Sequence, residues 1–286
     1  MLASYKKIIL SAALVAGSVS GYAQKLLFPE APGIVSYTYR NQFAKDVPGT
    51  LDIVKGNGIT DIEFSSLFKQ NPEDLRRMCD ERGIKISSYG VSYDDFTKKT
   101  DEVAHVAKIL GAEYVRVSGI PHKGTFTLEN AKQTVADFNQ YGKILKKEHG
   151  LTFIYHNHGF EYVPYEDGTL YDYILKNTDP KYVSMEMDIL WVFFPGFDPA
   201  ALLAKYGKRY KALHLKDLKQ GVARGSLSGG TDPNNDVVLG TGQIDIPAVM
   251  KAAKKAGVKH YYIEDESKDA ITQVPQTIKY LNSLTK

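Results

Sequence analysis

Cysteine is nearly missing from this chain. Cys79 is the only one among 286 residues, which excludes a disulfide framework and any thiolate-rich metal centre. The helical pattern around it buries the thiol as a small hydrophobe. Long apolar runs are missing too, since no segment approaches the roughly 20 residues that cross a bilayer. An excess of charge is also lacking. Lysine and arginine total 36 against 33 aspartates and glutamates, which leaves no electrostatic footprint for nucleic acid or an anionic membrane surface. Runs such as Lys251 to Lys255 read as one solvated helix face. No glycine-rich turn follows the first strand-like segment, so a doubly wound nucleotide-binding sheet lacks its expected fingerprint.

What is present begins with a leader. Lys6 and Lys7 precede a short apolar stretch, Ile8 to Val19, and Gly21-Tyr22-Ala23 ends it in small residues. This is the pattern of a secretory signal peptide over residues 1–23, cleaved after Ala23. It implies export across the inner membrane to the periplasm. No cysteine stands at the cleavage point to carry a lipid. Its two lysines leave the mature chain, residues 24–286, with 34 basic residues against 33 acidic ones.

The mature chain repeats one phrase. A helical stretch ends in glycine, at Asn57-Gly58, Arg82-Gly83, Leu110-Gly111, His149-Gly150, Tyr206-Gly207 and Ala256-Gly257, where a left-handed residue closes a helix. At Asn177 to Pro180 proline does the stopping. Short apolar runs follow these junctions: 59–64, 84–90, 114–119, 151–156, 182–188, 210–217 and 260–266. With an opening strand at 33–39 they make eight. Helices are expected near 47–56, 72–82, 97–110, 129–148, 169–177, 198–206, 246–256 and 270–284. Strict alternation demands parallel pairing, and eight units in this length predict a single (β/α)8 TIM barrel over residues 24–286.

In such a barrel, function gathers where strands end. The stretch YHNHGFEY places His156, Asn157, His158 and Glu161 at the end of strand five. Strand six ends in Glu186 and Asp188, strand seven in His214 and Lys216, and strand eight in Glu264 and Glu266. Each pair shares a face, because side chains alternate. Carboxylates and imidazoles converging from four strands repel or desolvate one another without a cation. One divalent ion resolves that conflict, and the Asp, Glu and His donors suit Mn²⁺, Co²⁺, Zn²⁺ or Mg²⁺. Tyr89, Trp191, Glu266 and His122 are expected to contact substrate. Glu63 and Arg116 read as a buried ion pair below the site. His105 and His149 lie on helices and His260 at the wrong end of the barrel.

The phrases YHNHGFEY, MEMDILWV, HLKDL and YYIEDE, with VLGTGQIDI between the last two, resemble the xylose-isomerase-like TIM-barrel superfamily. That group holds sugar isomerases and epimerases, inosose dehydratases and endonuclease IV. The resemblance covers the whole mature chain, and its HLKD and HNHxFE phrases resemble the inosose dehydratase side. It implies one metal held by a residue from each of strands five to eight. By position Asp188, His214 and Glu264 match the last three ligands. Family epimerases carry glutamate at strand five, where this chain has Tyr155-His156. The fourth ligand therefore lies among His156, His158 and Glu161. His156 is the choice made here, with His158 and Glu161 on the substrate.

The chemistry implied is enolisation of a keto-sugar, giving isomerisation or epimerisation, or elimination where a leaving group sits β to the carbonyl. His158, Glu161 and Glu186 are candidate bases, and Lys216 a candidate acid or oxyanion partner. An exported enzyme meets few sugar phosphates, so a neutral or oxidised keto-sugar is the expected substrate. Gly240-Thr-Gly242 reads as a turn, with Asp245 capping the next helix, rather than a phosphate cradle. Two other classes stay open. An endonuclease IV-like phosphodiesterase needs more histidines and a basic groove, and a sugar-binding barrel needs no metal.

Overall fold

The computed structural model describes residues 32–284, so the expected leader and its expected cleavage point lie outside the described residues. Eight short parallel strands close on themselves. They are β1 (Gly33–Val35), β2 (Asp61–Phe64), β3 (Lys85–Val91) and β4 (Tyr114–Val117). The second half is β5 (Thr152–His156), β6 (Val183–Asp188), β7 (Tyr210–Leu215) and β8 (His260–Ile263). Neighbours in sequence are neighbours in the sheet, and β1 pairs with both β2 and β8 to shut the ring. This is the (β/α)8 barrel that strand–helix alternation requires.

The helices start where the sequence offers a cap. Asp46 accepts from Gly49 N ahead of α1 (Val47–Gly56), and Asn71 from Glu73 N ahead of α2 (Pro72–Asp80). After α3 (Thr100–Leu110), Thr127 and Asn130 form a reciprocal capping box on α4 (Leu128–His149). Thr169 and Asp172 repeat it on α5 (Leu170–Asn177). Asp198 caps α6 (Pro199–Tyr206), Asp245 caps α7 (Ile246–Ala256), and α8 (Ala270–Ser283) completes the ring. Each cap satisfies an N–H that the helix itself leaves unpaired.

Glycines 111, 150 and 257 end their helices in the left-handed conformation, as expected. Gly207 does not: its φ is −44°. A Cβ there would lie 2.7 Å from the Ala256 Cβ, so glycine is kept for the close approach of α6 to α7. Four strands end earlier than the sequence suggests, β4 at Val117 and β7 at Leu215 among them. β1 stops at Val35 and a 3-10 turn takes Ser36–Tyr39. β8 stops at Ile263, which puts Glu264 and Glu266 in the loop beyond it. An extra short helix, Ile189–Phe193, follows β6 directly.

The main core lies between sheet and helices, around residues such as Leu51, Phe96, Phe138 and Leu213. Inside the barrel, Val35, Ala212 and Tyr262 form a separate small cluster. The Tyr262 hydroxyl meets Ser87 Oγ at 2.6 Å, and His260 Nδ1 meets Asp61 Oδ2 at 2.7 Å. That polar floor plugs the N-terminal end of the barrel, so the C-terminal end alone is left to open.

Candidate active site

The open end holds a cavity of about 640 Å³ bounded by loops after all eight strands. At its base four donors converge. His156 Nε2 lies 3.1 Å from His214 Nδ1 and 3.6 Å from Asp188 Oδ2. His214 Nδ1 also contacts Glu264 Oε2. One ligand atom from each of His156, Asp188, His214 and Glu264 falls within 4.8 Å of the others. Register explains the convergence: His156 pairs with Glu186 across β5 and β6, and Asp188 with His214 across β6 and β7.

Chemistry completes the case for a cation. Six carboxylates (Glu63, Glu186, Asp188, Asp236, Glu264 and Glu266) crowd around two buried permanent cations, Arg116 and Lys216. Burial pushes the Asp188 carboxyl up against the pull of Lys216, and its Oδ2 is buried without a hydrogen-bond partner. Burial, then His214 and Arg116, hold the His156 imidazole well below its usual value, so it is neutral with a lone pair to give. Burial opposes a charge on His214, but Glu186 and Glu264 outweigh it and draw positive charge to that ring. A divalent ion fits this donor set.

Beneath the group, His214 Nε2 lies 3.0 Å from Glu63 Oε1 and 3.2 Å from Glu186 Oε2. Arg116 Nε holds Glu63 at 2.8 Å and Ser88 Oγ donates to it at 2.6 Å. Burial pushes the Glu63 carboxyl up, but Arg116 and His214 outweigh that and keep it ionised. A carboxylate on the far nitrogen of a ligating imidazole fixes its ring and tautomer. The ion pair below the site is therefore part of the site's support. The β-sheet register shifts beside both Glu63 and Glu186, a bulge device that re-aims side chains.

The other expected site residues divide sharply. His158, Trp191 and Glu266 line the cavity. His158 stacks between Phe160 and Trp191, and burial with His156 beside it keeps its ring neutral. Lys216 sits behind the wall, 1% exposed, 3.2 Å from Glu264 Oε1 and 3.5 Å from Asp236 Oδ2. Burial works against its ammonium, but Asp236 and Glu264 hold it protonated. Glu186 is wholly buried under His214 rather than on the cavity.

Three expectations besides that of Glu186 as a base are corrected. Glu161 is fully buried, accepting from the Tyr155 hydroxyl and from His158 N at 3.0 Å. It clamps the loop after β5 and does not reach the cavity. Tyr89 is absent from the wall because Ser88 and Gly90 take the inward positions of β3: Ser88 bonds Glu63, and a Cβ on Gly90 would strike Arg116. Tyr89 packs into the helix-side core instead. His122 Nδ1 donates to Ile120 O at 2.8 Å, and the ring packs on Phe160 and Phe126 outside the cavity.

Among the cavity residues that escaped the sequence reading, Asp236 is the carboxylate. Asp236, from the long segment after β7, is 3% exposed, lines the cavity and accepts from Glu266 N at 2.8 Å. Its only signal was the length of that segment, since structureless connections beyond roughly 12–15 residues tend to be functional. The turn at Gly240 to Gly242 is not a free anion cradle. Gly240 N and Gly242 N both donate to Asp217 Oδ2 at 2.9 Å, and Leu218 N and Ile244 N to Oδ1. A Cβ on Gly242 would lie 2.3 Å from Asp217 Oδ1, so the turn is built around that carboxylate.

A closed parallel barrel with convergent His, Asp and Glu donors at its C-terminal mouth defines a class of barrel enzymes that act at the strand ends. Residues 51–284 match the xylose isomerase-like TIM barrel, and this chain belongs to that family. It is 25% identical over 229 residues to an inosose dehydratase of Geobacillus kaustophilus, spanning 70% of this chain and 73% of that protein. Among solved structures it resembles a sugar phosphate isomerase/epimerase from Parabacteroides distasonis. That likeness has a TM-score of 0.72 at 23% identity, over 88% of this chain and 98% of the other. A zinc-bound IolI protein superposes with a TM-score of 0.71 at 16% identity, over 88% and 96%. These two likenesses concern the fold.

Proposed function

We propose that this protein is a divalent-metal-dependent enzyme that removes and returns a proton α to the carbonyl of a keto-sugar or related carbohydrate, giving an isomer or epimer. The observation that carries the reading is the donor group of His156, Asp188, His214 and Glu264 at the base of the cavity in the barrel's open end. Those four would hold the ion, which when bound supplies Lewis-acid polarisation of a carbonyl. His158 offers the cavity a neutral ring whose buried Nδ1 has no other partner, so it is placed to take or return a proton. Glu266 and Asp236 add two carboxylates to the same wall. Lys216 stays an ammonium and orients Glu264 and Glu266 from behind.

The inosose dehydratase relatives favour a second outcome of the same chemistry. Where the substrate carries a leaving group β to its carbonyl, the carbanion expels it and the enzyme is a dehydratase or lyase. Zinc in the IolI structure supports a divalent ion here, whether Zn²⁺, Mn²⁺, Co²⁺ or Mg²⁺. Asp217 filling the turn after β7 supports a substrate without a phosphate at that position. With the leader, the reading is of a periplasmic enzyme.

The test is metal analysis of the purified protein followed by incubation with a panel of keto-sugars in D₂O. Deuterium entering at an α-carbon, abolished by chelation, is the expected result. Bound metal with no deuterium uptake and no elimination product across the panel would sink the proposal.

A further inference from the structure

The donors of the ion site all come from β5 to β8, yet the cavity continues over the other half of the barrel mouth. There the wall is made by segments following β1 to β4, and it presents Tyr37, Ser65, Ser66, Phe68, Ser92 and Ser118. Among the described residues this half of the wall holds no carboxylate and no lysine. Its two guanidinium groups are already engaged. Arg40 donates to Tyr37 O and Glu266 O, both at 3.1 Å, and lies 4.5 Å from the centre of the Tyr37 ring. Arg116 is tied to Glu63.

Such a surface favours one kind of occupant. A free anion finds one cation there without a carboxylate partner, Arg40, and two of its N–H groups are already held by backbone carbonyls. An apolar group would cover serine hydroxyls that each retain hydrogen-bonding capacity. A neutral sugar ring satisfies both demands, with hydroxyls for the serines and an apolar C–H face for the aromatic rings. Tyr37 is 41% exposed at the rim. Phe68 and Lys69 both hold left-handed backbone there, with φ of 48° and 61°, a conformation that side-chain-bearing residues adopt only when something over-determines it. That turn sets the Phe68 ring at the cavity edge, stacked on Phe43 at 4.9 Å. The volume of about 640 Å³ lies well inside the roughly 300–1,000 Å³ of sites that enclose drug-sized ligands.

We infer that the β1–β4 half of the mouth is a second sugar subsite, so that the substrate is a glycoside of at least two rings. One ring lies over the ion-site donors and its neutral neighbour lies against Tyr37 and Phe68. The inference rests on the proposed carbohydrate reading and extends it.

Trp191 is the chain's one tryptophan and lines the same cavity, so its fluorescence reports occupancy without turnover. The full chain, loaded with Mg²⁺ or Zn²⁺, is titrated with glucose-, galactose- and mannose-containing disaccharides and with their single sugars. At least one disaccharide should bind tenfold or more tightly than its component sugars. Tyr37→Ala and Phe68→Ala should each weaken that binding fivefold or more while leaving single-sugar binding unchanged. Should Phe68→Ala fail to fold, Tyr37→Ala, an exposed change, decides alone. Single sugars binding as tightly as every disaccharide would overturn the subsite but leave the carbohydrate reading standing. So would a preference for uronic-acid disaccharides over neutral ones. No response to any of these sugars, nor to their keto-sugar forms, single or double, would remove both.

Discussion

Glu161 shows how one buried proton can couple this fold to pH. It is fully buried and accepts from the Tyr155 hydroxyl and from His158 N. Burial pushes its carboxyl from 4.5 up to about 8, against the pull of those bonds. Between those values the unfolded chain has released the proton and the folded chain still holds it. The stabilisation is therefore complete below about 4.5, declines as pH rises, and is gone above about 8. Glu161→Gln cannot ionise. The melting-temperature gap between wild type and Glu161→Gln should shift in the variant's favour from pH 4.5 to pH 9, and a gap that stays constant would show that Glu161 ionises freely in the fold. The same residue marks how far sequence reaches at this scale. The pattern HNHGFE shows that ligand types cluster after β5. It does not show that the turn folds Glu161 back under His158, because a loop has no periodicity to fix direction. Asp188 and His214 stand on strands, where alternation fixes direction, and there the faces were legible.

At the scale of elements, the long segment from Lys216 to Asp245 decides what the mouth looks like. It is held at its base by one carboxylate: Asp217 accepts from the backbone of Leu218, Gly240, Gly242 and Ile244. The bridge of Leu218 to Asp236 then brings Asp236 onto the cavity. Asp217→Ala would strand four N–H groups, of which the two buried ones, on Leu218 and Ile244, cost about 1–3 kcal/mol each if left unpaired. Partial relaxation should limit the total to about 2–4 kcal/mol in urea unfolding, with Asp217→Asn losing less. A loss below about 0.5 kcal/mol, the range of ordinary surface changes, would show that the segment does not depend on this anchor. The caps and left-handed glycines of the helices could be read in advance because each is a local rule. Gly207 could not, since its reason is a contact with Ala256 on another helix.

Across the whole molecule, the proposed ion would tie the ends of four neighbouring strands of the closed ring together. A ligand that binds only the folded state stabilises it by mass action, by about 2.7 kcal/mol at a hundredfold excess over its Kd. For a domain of this size that is a rise of about 5–10 °C in Tm, at roughly 2–4 °C per kcal/mol. Calorimetry of chelated protein against protein with added Mn²⁺, Co²⁺, Zn²⁺ or Mg²⁺ should show that rise with at least one ion. Asp188→Asn should blunt it. Identical melting with and without every ion would remove the cation from the account.

The sequence by itself determined the barrel, through strand–helix alternation, and it determined which residues on the later strands share a face, through the two-residue period of a strand. It also confined the chemistry to histidine and carboxylate donors by having almost no thiol to offer. Only the tertiary structure decided which side chains occupy the mouth. Closing the ring sets the distances between strands, and the loops obey contacts with distant residues. That is why Asp236 enters the cavity, Glu161, Tyr89 and His122 leave it, and the half of the mouth without ion-site donors becomes visible at all.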